Sequence, residues 1–148
     1  MATSTVATTR PGRLEDAQAL ADLATQLGYP STPQELVERL PHVLEAADSA
    51  LLVATDSRDR PIGWLHVELK RSLVSPLAAQ VMGLVVDERR RSAGIGAELL
   101  RRAEEWARGR GCRTLLVPTR VTRDDAHRFY RREGYRRLKT SHVFEKEL

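Results

Sequence analysis

Apolar and polar positions along this chain follow two periods, one helical and one of strands, and they divide it into elements. Residues 6–9 form a short β-prone run able to open a sheet. Between 14 and 27, Ala17, Leu20, Leu23, Ala24 and Leu27 share one helical face. Glu15 and Asp16 fall in its first turn, where acids complement the helix dipole, and Gly28 ends it. Thr32-Pro33-Gln34-Glu35 reads as a capping box with proline at the first helical position, so a second helix starts there. Pro41 is expected to break or kink that helix. Residues 50–54 read as a strand and 56–61 as a polar turn. From 62 to 69 the pattern alternates, with Ile62, Trp64 and His66 on one side and Gly63, Leu65, Val67 and Leu69 on the other. Residues 77–86 form a longer strand, nearly all apolar towards its end, the pattern of burial on both faces.

Helical spacing returns at Ile95, Leu99, Ala103, Trp106 and Ala107 and lasts until Gly109 and Gly111. Residues 114–117 read as a short buried strand. A last helix spans 124–133, with Ala126, Phe129 and Tyr130 on its inner face and Gly134 as a left-handed stop. Residues 135–138 and 142–144 read as final strands. The order predicts a mixed α/β fold with helices on both faces of one sheet.

The length, 148 residues, suits a single domain over 1–148, with the first few residues expected to be flexible. Apolar residues make up 41% and charged residues 30%, as in a soluble globular protein. No apolar run approaches the roughly 20 residues needed to span a bilayer, and the Thr-rich start lacks the apolar stretch of a secretory signal, so no membrane partner is expected. Cys112 is the single cysteine, which excludes an internal disulfide and a cysteine-based metal cluster. These features favour the cytoplasm and a protein with no metal.

The net charge is +4, carried almost wholly by arginine; the lysines are Lys70, Lys139 and Lys146. Such a balance suits nucleic acid or a polyanionic small ligand. The excess lies in Arg89-Arg90-Arg91, Arg101-Arg102 and Arg131-Arg132, of which the last two read as solvated helix faces. Neither RNA-binding aromatics nor a helix-turn-helix accompanies these runs, so nucleic acid is not expected as a partner.

Candidate chemistry concentrates in Leu84 to Leu100: buried strand, charged turn, Gly-containing turn, amphipathic helix. Gly94 and Gly96 leave room for a ligand to approach the backbone. The N–H groups opening the helix have no intrahelical partners and sit at the positive end of its dipole, which makes a phosphate cradle. Arg91 adds a charge at its mouth. A dinucleotide fingerprint would need a third glycine where Leu99 stands, and a P-loop would need Gly-Lys-Ser/Thr. Taken alone, Gly-x-Gly at a helix start equally describes a tight turn.

Arg91-Ser92-Ala93-Gly94-Ile95-Gly96 resembles the R/Q-x-x-G-x-G/A signature of the GNAT N-acetyltransferases. Ala126-His127-Arg128-Phe129-Tyr130-Arg131-Arg132-Glu133-Gly134-Tyr135 resembles that family's second hallmark, A-x-x-F-Y-x-x-x-G-F/Y, at the usual separation. The resemblance implies a GNAT-like α/β fold, a mostly antiparallel central sheet with helices on both faces. It implies that Arg91, Ser92, Ala93, Gly94, Ile95, Gly96 and Ala97 hold the pyrophosphate of acetyl-CoA. It implies that Leu84, Val85 and Val86 pair with the pantetheine arm. The helix junction at Leu27-Gly28-Tyr29-Pro30 and the ending after Asp125 look most like aminoalkylphosphonate and aminoglycoside acetyltransferases.

By the same resemblance the Tyr130 hydroxyl is the general acid for the departing CoA thiolate, whereas without it Tyr130 reads as a core tyrosine. The usual base is a glutamate on the preceding strand, and here Gln80, which takes no proton, stands in its place. A water relay, Glu68, His66, His142 or an already neutral substrate remain as alternatives. Arg123 stands about where the family often places an Asn that touches the cofactor, and meets a phosphate or solvent. Cys112 reads as structural. The function expected is acetyl transfer from acetyl-CoA to a primary amine of a small molecule, by direct attack in a ternary complex, in a possible homodimer. The alternatives are a protein lysine or N-terminal acetyltransferase and a catalytically weak acyl-CoA-binding regulator. Acceptor choice is expected to rest on residues 29–44 and 70–76.

Overall fold

A computed structural model of the chain describes residues 7–148 except Ser92. The expected flexible start and Val6 lie outside the described residues. The chain divides into a larger unit running to Val117 and a smaller one from Pro118 to Leu148.

In the larger unit β1 (Thr8–Pro11) leads through a single 3-10 turn, Leu14–Asp16, into α1 (Ala17–Leu27) and α2 (Pro33–Glu45). Three strands follow: β2 (Ser49–Thr55), β3 (Pro61–Lys70) and β4 (Ala78–Val86). A 3-10 turn at Glu88–Arg90 leads to α3 (Ile95–Gly109), and β5 (Leu115–Leu116) completes the unit. The five strands form one sheet in sequence order, antiparallel from β1 to β4, with β5 parallel to β4. This is the expected mixed, mostly antiparallel sheet. None of its helices is long and apolar enough to cross a membrane, among the described residues.

The period of two sends alternate side chains to opposite faces. On one face Leu51, Val53 and Trp64 pack with Ala17 and Leu20 of α1 and Leu36, Leu40 and Val43 of α2. The other face meets α3, where a Cβ added at Gly63 would fall 3.4 Å from a Leu99 methyl. Ile95, Leu99, Ala103 and Ala107 are buried along α3, as the spacing predicts; Leu100 is buried beside them and Trp106 is only half-buried. Cys112, buried, donates its N–H to Ala107 O and closes the end of α3, a structural role.

The capping box is present: Thr32 Oγ1 accepts from the Glu35 N–H at 3.1 Å, and Glu35 Oε1 accepts from the Thr32 N–H at 3.0 Å. Of the break or kink expected at Pro41, the break does not occur: α2 is one helix from Pro33 to Glu45 with Pro41 inside it. The carbonyl that Pro41 leaves without its donor belongs to Val37, an exposed residue, so water satisfies it.

In the smaller unit α4 (Asp124–Arg132) ends as expected at Gly134, whose φ of 93° is open to glycine. The Gly134 and Tyr135 N–H groups bond back to Arg131 O and Tyr130 O at 3.1 and 2.9 Å, a Schellman end. The two final strands are a correction: residues 135–138 and 142–144 adopt no strand. A strand exists by its ladder. Among the described residues these segments have none, and Val143 and Phe144 are 94% and 92% exposed.

One ion-pair network escaped the sequence pattern. Arg10 of β1 grips Asp16 with its two Nη atoms, at 2.8 and 2.9 Å, and Asp16 also accepts the Arg13 N–H at 2.8 Å. Arg10 and Arg13 further meet Asp59 in the β2–β3 turn. Burial raises the pKa of Asp16, but the bonds from Arg10 and Arg13 outweigh it and hold the carboxyl below the usual carboxylate range. Its stabilisation is therefore full above about pH 4, the unfolded value, and is lost as pH falls through the lower folded value. Asp16→Asn should cost about 2 kcal/mol in urea unfolding at pH 7, because it removes the buried carboxylate that Arg10 grips with two bonds and leaves Arg10 only the exposed Asp59. The difference from wild type should shrink below pH 4. Equal stability at pH 7 would remove the network from its anchoring role.

Candidate functional site

β4 carries different neighbours on its two edges. It pairs with β3 along its length but with β5 only at Ala79 and Gln80, opposite Leu115 and Leu116. The β3–β4 register jumps from His66↔Gly83 to Val67↔Val81, which leaves Met82 as an unpaired extra residue. Such a bulge bends its strand, here just after the contact with β5 ends. The rest of that edge has no ladder partner among the described residues.

Main-chain groups on β4 alternate between the edges. The Asp87 N–H donates to Ile62 O of β3 at 2.8 Å, so Val85 also faces β3. The N–H and C=O of Leu84 and Val86 face the open edge. Of the three strand residues singled out in the sequence, two present main chain and one is committed to the ladder. The strand is also less buried than its apolar pattern predicts. Met82 is exposed and Leu84 and Val86 only half-buried, because the partner strand stops short.

Asp87 turns the chain from β4 towards α3. Its carboxylate accepts the Arg89 N–H at 3.1 Å and pairs with the Arg89 guanidinium, while Gln26 of α1 accepts the Glu88 N–H at 2.9 Å. Burial raises the pKa of Asp87, and the bonds from Arg89 reverse that and hold it low. Sequence reasoning missed Gln26 and Asp87, since only their partners reveal them. Arg90 lies 4.0 Å from Asp56, whereas Arg91 is exposed and makes no ion pair among the described residues. A depression of about 300 Å3 lined by Asp56, Arg60, Ile62, Asp87, Arg89 and Arg90 holds charges that are already paired with one another.

Gly94 caps α3 with φ 80°, and a Cβ there would meet no atom within 4 Å. No side chain caps the helix; the first helical bond runs from the Glu98 N–H to Gly94 O at 3.0 Å. The N–H groups of Ile95, Gly96 and Ala97 therefore stay unbonded within the helix, at the positive end of its dipole. Ala93 is exposed beside them, and Ser92 lies outside the described residues.

Gln80 is half-buried, and its amide lies 3.8 Å from the Met82 sulfur. Across the ladder it faces Glu68, which in turn faces Ser49 of β2. Ser49 Oγ and His66 Nε2 are 2.8 Å apart. Burial lowers the pKa of His66, with Glu68 pulling weakly the other way, so the ring is neutral at neutral pH. Two of the alternative bases, His66 and Glu68, thus lie on one strand beside Gln80. His142 lies in the exposed end of the smaller unit.

Tyr130 and Arg123 belong to the smaller unit. Phe129 and Tyr135 meet the Tyr130 ring edge-on, with centroids 5.1 and 5.9 Å away. Burial pushes the phenol pKa up to about 12 against the opposing pull of Arg123 at the helix start, so the hydroxyl stays protonated. His127 is engaged with Arg120 O at 3.0 Å. Among the described residues no three His, Cys, Asp or Glu side chains gather as a metal site.

Residues 15–135 match the acetyltransferase (GNAT) family model. An aminoglycoside N(6')-acetyltransferase type 1 of Stenotrophomonas maltophilia is 28% identical over 132 residues, 86% of this chain and 85% of that protein. An aminoalkylphosphonate N-acetyltransferase of Salmonella typhimurium is 46% identical over a shorter stretch of 57 residues, 38% of this chain and 37% of that one. Among solved structures, the aminoglycoside N-acetyltransferase AAC(6')-Iy in complex with CoA superposes with a TM-score of 0.86 at 16% identity, covering 96% of this chain and 95% of that one, a likeness of fold. The open strand edge, the uncapped glycine-led helix and the match along most of the chain converge: the protein belongs to the acetyltransferase (GNAT) family, the acyltransferases that draw on acetyl-CoA.

Proposed function

We propose that the protein transfers an acetyl group to a primary amine of a small molecule, by direct attack in a ternary complex. The observation that carries this reading is the open edge of β4 running into the uncapped start of α3. The main chain of Leu84 and Val86 offers hydrogen bonds to the amides of a pantetheine arm, with Val85 holding the strand to β3 between them. The N–H groups of Ile95, Gly96 and Ala97 offer a cradle for a pyrophosphate, and the vacant space at Gly94 admits it. Arg91, the unpaired member of its run, adds charge, and Ser92 and Ala93 complete the turn. Acetyl-CoA brings the activated thioester. The small-molecule relatives support an amine acceptor of that size.

Tyr130 is proposed as the acid at the sulfur. With a pKa of about 12 it acts chiefly by donating a hydrogen bond to the thiolate, which solvent then protonates. Arg123 beside it is proposed to meet a phosphate. A protein of this kind belongs in the cytoplasm, in keeping with the buried free thiol of Cys112. A homodimer is proposed on the exposed Val143 and Phe144, and light scattering that gives only 16.6 kDa counts against it. Gln80, unable to take a proton, favours one second reading, an acyl-CoA-binding protein with weak turnover.

The deciding experiment follows CoA release with a panel of amines that includes kanamycin and 2-aminoethylphosphonate. Acetyl-CoA at 100 times its Kd should stabilise the fold by about 2.7 kcal/mol in a thermal-shift titration. Gly96→Asp should abolish that shift while the chain stays folded, since it sets a negative charge in the cradle. Tyr130→Phe should slow single-turnover transfer by about 10²- to 10⁴-fold with the acetyl-CoA shift intact. Transfer at the wild-type rate would leave Tyr130 a packing residue.

A further inference from the structure

Glu68 differs from six other shielded acids of this chain. Asp16, Glu35, Asp56, Asp87, Glu98 and Glu133 are buried or half-buried, and each faces an arginine. Glu68, half-buried in the middle of the sheet, has no hydrogen bond or ion pair among the described residues. A carboxylate withdrawn from water without a partner is costly unless a cation comes to it.

Its position suits that use. Glu68 lies between Ser49 of β2 and Gln80 of β4, and direct cross-strand neighbours stand about 5 Å apart at Cβ. His66, two residues earlier on the same face, is neutral and already held by Ser49, so it neither cancels the charge of Glu68 nor competes for a cation. Gln80, tied to Met82, leaves the carboxylate unopposed. The same face carries Trp64, which fills the space over Gly83 beside Leu27 at the end of α1. That face therefore presents one negative group with polar neighbours and an aromatic wall, and Lys70 at the end of β3 makes no ion pair with it among the described residues.

We propose that Glu68 is the anchor for the ammonium group of the acceptor, a positively charged amine, held on the α1–α2 face of the sheet next to Gln80. The inference rests on the acceptor being an amine, as proposed above. Glu68 draws the charged amine to the strand edge and sets its orientation; it does not replace the base that Gln80 cannot be, and the proton the amine sheds before attack leaves through water.

Calorimetric titration of the CoA-loaded protein with kanamycin, and separately with 2-aminoethylphosphonate, tests this without requiring turnover. Glu68→Gln keeps the side-chain shape and removes only the charge. It should weaken binding of whichever amine the wild type binds by about 10- to 100-fold, the worth of a charge-assisted contact, with CoA affinity unchanged and a melting temperature no lower than that of the wild type. Glu68→Asp should recover part of the loss, which a purely structural role would not predict. Equal affinity in Glu68→Gln and wild type, or no binding of either amine to the wild type, overturns the proposal. Loss of CoA binding in the wild type would instead overturn the acetyltransferase reading itself, so the two failures are told apart.

Discussion

The structure turns on one constraint: β4 must complete a ladder on one side and leave it unfinished on the other. Against β3 it satisfies its backbone over nearly its whole length, which holds the sheet together. Against β5 it pairs at two residues only. Backbone groups left over at a strand edge need an acceptor or donor from elsewhere. An extended ligand with amides of its own is chemically suited to supply them. The helix that follows repeats the logic, because its first N–H groups also lack partners in the protein. Two successive elements thus leave polar main chain unsatisfied, one suited to amides and the next to anions.

The charges around these elements are arranged by subtraction. Most arginines are spent on nearby acids: Arg101 and Arg102 on Glu98, Arg89 on Asp87, Arg132 on Glu133. Exposed pairs of this kind contribute little to stability. Among the charges that carry no ion pair among the described residues, Arg91 stands just before α3 and Glu68 stands half-buried within the sheet. The formal charge of +4 describes the surface poorly as a guide to what binds there.

Helices and their ends were legible in the sequence because their signals are local. The capping box at Thr32, the apolar stripe of α3 and the stop at Gly134 each lie within a few residues of one another. The turn at Gly94 and the Phe129-Tyr130 pair were legible as motifs for the same reason. Long-range relations were not. Arg10 meets Asp59 across 49 positions, and nothing beside either residue announces the other. The bulge at Met82 is a property of register between two strands, so an apolar run such as residues 77–86 hides it. The final strands were misread for a related reason. Val143 and Phe144 have strand propensity, but propensity does not supply a neighbouring strand. Pro41 does not break α2 because the lost hydrogen bond matters only where water cannot replace it.

The surplus residue in β4 has a consequence for how this chain could vary. Gln80, Gly83 and Val85 all lie on the face that carries Trp64, although an even count would send Gly83 and Val85 to the opposite one from Gln80. Removing Met82 would bring Gly83 next to Val81 and keep every one of these side chains on its present face. The parting of the strands is thus written as a length rather than as a chemistry, and a lineage could close or reopen that gap by one codon without sending a core residue to the wrong side.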